Sequence, residues 1–296
     1  MVFLAAAAIA ISAGLVFVIS LRSRPQRTYK DLAQLWKDGA YREVYGESGR
    51  LLADTPLDFF LLSLRGYAAY QLALAQINAQ DMNLYTDECI SALRKALLCK
   101  KGADGGAVCY VLGKAYFEKG PDYANLTVKY LEEALELSYR AEDIPEYLGL
   151  AYAQAHEYLK SVAAFSEALV PVAGQGADSG PADILLLAIA RSYIELGEYD
   201  SAYAYLTQCA DTSKDFSVIV SARILLGRVL EKKGDIEGAE QQYLRILQEG
   251  GDQADARYEL GVLYAERGEN IKARAEWRKV LRLDPSYAPA IARLAM

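Results

Sequence analysis

The stretch EYLGLAYAQAHEYLKSVAAFSEAL, Glu146 to Leu169, carries a rhythm that recurs down the chain. Leu148 is followed by the small Gly149, with Tyr152 after it and His156 at an interruption. Then come Tyr158, Ser161, Phe165 and the pair Ala168-Leu169. Steps of three and four place these side chains on one stripe of an α-helix, before and after the break. In LLGRVLEKKGDIEGAEQQYLRIL the same positions hold Leu226-Gly227, Gly234, Ile236, Ala239, Tyr243 and Leu247. In ELGVLYAERGENIKARAEWRKVLRLDP they hold Leu260-Gly261, Tyr264, Gly268, Ala273, Trp277, Leu281 and the closing Pro285. In LAIARSYIELGEYDSAYAYLTQC they hold Ile189-Ala190, Tyr193, Gly197, Tyr199, Ala202, Leu206 and Cys209. Each stretch predicts two antiparallel helices. The glycines at Gly120, Gly197, Gly234 and Gly268 supply the left-handed residue of the turn. Gly in a helix interior costs about 1 kcal/mol against Ala. Gly113, Gly149, Gly227 and Gly261 therefore imply that another helix backbone passes close by. His156 stands where the others have Gly and is read as a helix-ending residue in the left-handed region.

Partial copies extend the array. Leu112-Gly113, Tyr116, Gly120, Leu131, Ala134 and Leu135 form one, with a small insertion before the second helix. Gly66 opens another, completed by Cys89, Leu93, Ala96 and Leu97. Between its halves LAQINAQDMNLYTDE is longer than the pattern needs. Gly39, Tyr41, Leu52 and Pro56 mark a degenerate first copy. This pattern resembles the tetratricopeptide repeat, whose period is about 34 residues. Gly227 and Gly261 stand one such period apart. Seven repeats follow: 25–58, 59–105, 106–141, 142–175, 183–216, 220–253 and 254–287. The expected fold is all-α, a solenoid of helical hairpins in a right-handed superhelix, because each hairpin can bury its apolar face only against its neighbours. Residues 288–296 read as a capping helix, and APAIARLAM is apolar enough to hint at self-association. PVAGQGADSGPA, residues 171–182, separates repeats 1–4 (25–175) from repeats 5–7 (183–287) as a hinge or as a surface loop. Its G-x-G lacks the strand and the G-K-[ST] of a nucleotide site.

The N-terminus departs from this rhythm. Val2 to Ser20 carries no charge, over a length that lets one helix span a hydrocarbon core. Residues 1–21 are read as a transmembrane anchor or uncleaved signal, and 22–28 as a basic juxtamembrane linker carrying Arg22, Arg24 and Arg27. The missing basic leader favours the anchor over a cleaved signal peptide cut after Ser20. The cations after the span lean the body toward the cytoplasm, with a periplasm-facing body as the alternative.

Composition narrows the functions. A net charge of −7 with no basic stripe argues against nucleic-acid binding. Cys89, Cys99, Cys109 and Cys209 with one histidine offer no zinc spacing, and three of the four cysteines fall at packing positions. A lone His in a turn leaves no Ser-His-Asp or Cys-His arrangement. The acidic pairs Glu132-Glu133 and Asp252 with Asp255 read as solvated charge. No enzyme and no cofactor are expected. The 22 tyrosines are read first as packing.

The resemblance implies a concave surface, lined by the first helix of each repeat, that binds an extended peptide or a partner helix. Counting from the Leu-small pair, Tyr67, Tyr110, Lys114, Leu187, Arg191 and Arg228 are the expected partner contacts, with Arg fixing a carboxylate. A carboxylate clamp of the family needs paired Lys and Asn, and no Asn accompanies Lys114, Arg191 or Arg228. The expected function is a membrane-anchored scaffold for a protein or peptide partner. The alternatives are an exported protein in envelope assembly or transport, and a binder of a small apolar ligand. Oligomeric state is open.

Overall fold

The computed structural model describes residues 26–99, 105–173 and 180–295. The apolar segment Val2–Ser20 lies outside them. Among the described residues there is no strand, and no helix is long and apolar enough to cross a membrane. The chain divides into two compact blocks, one ending at Glu157 and one beginning at Tyr158.

The first block holds α1 (Gln26–Lys37), α2 (Tyr41–Leu52), α3 (Phe59–Leu74), α4 (Ala79–Cys99), α5 (Gly106–Glu118), α6 (Ala124–Glu136) and α7 (Ile144–Gln154). Consecutive helices pack in hairpins, and the first helices of successive hairpins also touch, α3 with α5 and α5 with α7. Most of the extra stretch at residues 74–88 is helical. It forms the opening turns of α4, capped by Asn78, whose Oδ1 accepts the Asp81 amide at 2.8 Å. The insertion after Gly120 forms a short 3₁₀ turn, Pro121–Tyr123.

The second block holds α8 (Tyr158–Ala173), α9 (Gly180–Glu195), α10 (Tyr199–Thr212), α11 (Phe216–Lys232), α12 (Ile236–Gly250), α13 (Ala254–Glu266), α14 (Asn270–Leu283) and α15 (Ala288–Ala295). Helices α8 and α9 enter the Gly/Pro stretch from either side and pack against each other. Both lie in the second block, and the boundary between blocks falls earlier, in the turn after α7. Again the first helices touch, α9 with α11 and α11 with α13. Helix α15 packs on α14 through Ala290. Its Ile291 remains exposed.

The small mid-helix residues face a bulky side chain first, and at Gly66 and Gly113 the expected backbone of the second helix also stands within 3.4 Å of where a Cβ would be. A Cβ on Gly227 would stand within 3.0 Å of the Tyr243 ring, and one on Gly261 within 3.0 Å of the Trp277 indole. Gly66 and Gly113 face Leu93 and Leu131 in the same way. Each of these four glycines is a socket for the bulky residue of its own hairpin's second helix. Tyr243 is fully buried, and its hydroxyl donates to Glu231 at 2.8 Å.

Gly120, Gly197, Gly234 and Gly268 all have positive φ, and so does His156, at 60°. At the His156 turn the Glu157 amide donates to the Tyr152 carbonyl at 2.8 Å, the bond that also closes the turns at Gly197, Gly234 and Gly268. Ser138 also adopts positive φ, at 63°, with no sign of it in the sequence pattern.

Candidate functional site

The six expected contact residues divide by burial. Tyr67, Tyr110, Lys114 and Leu187 are at most 8% exposed, whereas Arg191 and Arg228 are exposed. The first four therefore hold the fold and offer a partner little side-chain surface. Tyr67 packs near Trp36, with ring centroids 6.3 Å apart, and Leu187 belongs to the core shared by α9, α10 and α11.

In the first block Lys114 is the centre of a closed polar cluster. Its Nζ donates to Asp143 Oδ2 at 2.8 Å and to the Tyr110 hydroxyl at 3.2 Å. The ammonium also lies 4.5 Å from the Tyr147 ring centroid. The Tyr110 hydroxyl donates to the same carboxylate at 2.8 Å. Burial first, then Asp143, pushes the Tyr110 hydroxyl well above its ordinary range. Glu118 and Glu146 stand nearby, and desolvation raises both carboxyls above the ordinary glutamate value. Lys114 is thus a satisfied buried cation tying α5 to α7.

The second block has the matching arrangement between α11 and α13. Two guanidinium nitrogens of Arg228 donate to one oxygen of Glu259, with Nε at 3.2 Å. Glu259 is buried at 7% exposure. Burial raises the Glu231 carboxyl, the Tyr243 bond opposes that rise, and Glu259 adds to it. Arg228 is a partly exposed cation whose charge is already answered.

Arg191 differs. Among the described residues it makes no hydrogen bond or ion pair, and it is exposed on α9. Ile184, two turns earlier, is 56% exposed, and Ile194 of α9 and Ile224 of α11 are half-buried. The positions 184, 188, 191 on α9 and 221, 224, 228 on α11 follow helical spacing and form one stripe of exposed and half-buried residues on each helix.

Sequence reasoning missed the partners, Asp143 for Lys114 and Glu259 for Arg228. The signal was present as spacing: each carboxylate stands about one repeat length after its cation, Asp143 capping the first helix of the next repeat and Glu259 lying within it. The acidic pairs read as solvated are also engaged. Glu132 accepts from the Tyr152 hydroxyl, Asp252 pairs with Arg257, and Asp255 accepts from Tyr287 at 2.7 Å. Glu231, Glu240 and Asp143 likewise each hold a tyrosine hydroxyl, so several tyrosines pack and hydrogen-bond at once.

Residues 187–254 and 224–288 match the family model of the tetratricopeptide repeat. The fold is of the tetratricopeptide-repeat type. The C-terminal part of a tetratricopeptide repeat-containing protein from Cytophaga hutchinsonii aligns with 90% of this chain and 99% of its own, at TM-score 0.59 and 18% identity. The apo quorum sensor NprR of B. thuringiensis aligns with 88% of this chain and 75% of its own, at TM-score 0.58 and 18% identity. PilW, a type IV pilus biogenesis factor, aligns with 77% of this chain and 98% of its own, at TM-score 0.55 and 17% identity. Among curated proteins, the CTR9 homolog of Arabidopsis thaliana is 31% identical over 107 residues, 36% of this chain. The match spans 10% of that relative's length.

Proposed function

We propose that the chain is a non-enzymatic, membrane-anchored scaffold that binds a protein or peptide partner on the uncovered face of α9 and α11. The observation that carries this reading is Arg191, an exposed cation without an in-chain partner among the described residues, flanked by the exposed Ile184 and the half-buried Ile194 and Ile224. An aliphatic surface around one charged anchor suits a mixed peptide, with apolar contact supplying affinity and the cation supplying orientation. Arg228 borders this face but is answered by Glu259, so it contributes shape more than charge. Lys114, Tyr110 and Tyr67 stiffen the first block. The uncharged run Val2–Ser20, followed by Arg22, Arg24 and Arg27, supports an N-terminal anchor with the body on the cytoplasmic side.

Site-specific photo-crosslinking in intact cells tests the location. A photoreactive residue placed at Ile184 or Ile224 should give a discrete adduct. The same residue at Ile271, an 88% exposed position on α14, should not. Adducts at Ile271 with none at Ile184 or Ile224 refute the assignment of this face.

A further inference from the structure

We propose that Arg191 takes a carboxylate from the partner, in the place that a carboxylate of the next hairpin fills for Lys114 and for Arg228. This rests on the binding face assigned above and names the chemistry of its occupant.

The three cations share one register. Lys114 directly follows Gly113, Arg191 follows Ala190 and Arg228 follows Gly227, the small residues of their first helices. The first helix of the next hairpin, or the residue that caps it, answers two of them. Asp143, six positions before Gly149, pairs with Lys114 at 2.8 Å. Glu259, two positions before Gly261, pairs with Arg228. Opposite Arg191 the neighbour is α11, and the corresponding positions before Gly227 are Ser221 and Leu225. Ser221 spends its hydroxyl on the Ser217 carbonyl at 3.0 Å. The sequence of α11 contains no Asp or Glu before Glu231, which already accepts from Tyr243, and Asp215, the residue before α11, is occupied by the Ser217 amide and hydroxyl. On α9 itself, Glu195 lies one turn on from Arg191 and accepts the Tyr158 hydroxyl.

The array thus repeats a cation three times and supplies the anion twice. A guanidinium holds a carboxylate through two parallel N–H donors, a geometry an external Asp or Glu reproduces as well as an internal one. The partner is then a segment carrying one Asp or Glu, with aliphatic side chains placed to meet Ile184 on one side and Ile224 on the other. Replacing Ser221 by Asp restores the missing internal anion at the position Asp143 occupies. That single surface change converts Arg191 into the closed state of Lys114.

The test uses the full chain in detergent micelles and short random peptides displayed on phage. Enriched peptides are synthesised with a fluorophore and titrated by anisotropy. The expected result is a shared Asp or Glu between apolar residues. Its replacement by Gln weakens binding about tenfold or more, the scale of a charge-assisted pair. Arg191→Glu and Ser221→Asp produce a similar loss. Arg282→Glu, an equal charge change at an exposed position on α14, does not. Selection against the Arg191→Glu variant should return Lys or Arg at the same peptide position. Circular dichroism of each variant separates loss of binding from loss of fold, and the Gln peptide reads the same contact on the unaltered protein. Enriched peptides that share no acidic residue, or that bind both variants unchanged, overturn this inference and leave the peptide-binding reading standing. Failure to enrich any peptide overturns that reading and this one with it.

Discussion

The same substitution, Gly to Ala, should have opposite signs at two helical positions. Gly46 lies within α2, and a Cβ there meets nothing within 4 Å. Ala restricts the unfolded chain and favours the helix, so Gly46→Ala should stabilise by about 0.5–1 kcal/mol. Gly227 gains the same helical preference, but its Cβ would stand within 3.0 Å of the Tyr243 ring. The ring cannot simply withdraw, because Tyr243 is fully buried and its hydroxyl is held by Glu231 at 2.8 Å. Overpacking a closed core costs about 1–3 kcal/mol, and a lost hydrogen bond adds about 1 kcal/mol. After about 1 kcal/mol of helical gain, the net is a destabilisation of about 1–3 kcal/mol. Thermal unfolding followed by circular dichroism reads both variants, at about 2–4 °C per kcal/mol for a body of this size. Gly227→Ala/Tyr243→Leu should recover much of the loss by emptying the space the methyl needs. If Gly227→Ala unfolds at or above the temperature of the wild type, the socket explanation for the small residues is wrong.

Four further outcomes follow from the same contacts. Lys114→Met should destabilise by about 3 kcal/mol, because it leaves Asp143 and Tyr110 without their cation, and Lys114→Met/Asp143→Leu should restore most of that in urea melts. The half-buried Glu118 carboxyl has a folded pKa above its unfolded value, so the native state holds the proton more tightly and stability falls as pH rises through that interval. Glu118→Gln should remove this slope and stabilise the protein at neutral pH, read as the difference in melting temperature between about pH 4.5 and pH 7. Brief treatment of the native protein with a thiol reagent should modify Cys99 alone among the four cysteines, since Cys89, Cys109 and Cys209 are buried and burial pushes the Cys209 thiol up to about 11; mass spectrometry of the digested protein reads the site. Replacing His156 by Gly should keep or raise the melting temperature, because the position already adopts φ of 60°, whereas His156→Val should lower stability by about 1 kcal/mol or more.

The helical hairpins were legible because their signals are local. Gly197, Gly234 and Gly268 end a helix through their own backbone freedom, and the Leu-small pairs mark a face by spacing alone. His156 was legible as a turn by position, while Ser138 carried no comparable cue. The reason for the small residues was half legible. A mid-helix glycine announces a close neighbour, but only the packed fold shows that Tyr243 and Trp277 fill the space above Gly227 and Gly261. The binding face was least legible, because which side of a first helix stays open depends on its neighbours. Counting from the Leu-small pair placed Tyr67, Tyr110, Lys114 and Leu187 on that face, yet neighbouring helices cover or pair them. A cation's availability depends on a carboxylate about one repeat further on. Of the three cations, only Arg191 lacks one at that distance on the facing helix.

The most direct test is hydrogen–deuterium exchange of the full chain with and without a peptide recovered by selection. Protection of α9 and α11 around Arg191 and Ile224, absent in Ser221→Asp, is the predicted result. Protection confined to α5 and α7, or unchanged by that substitution, contradicts it.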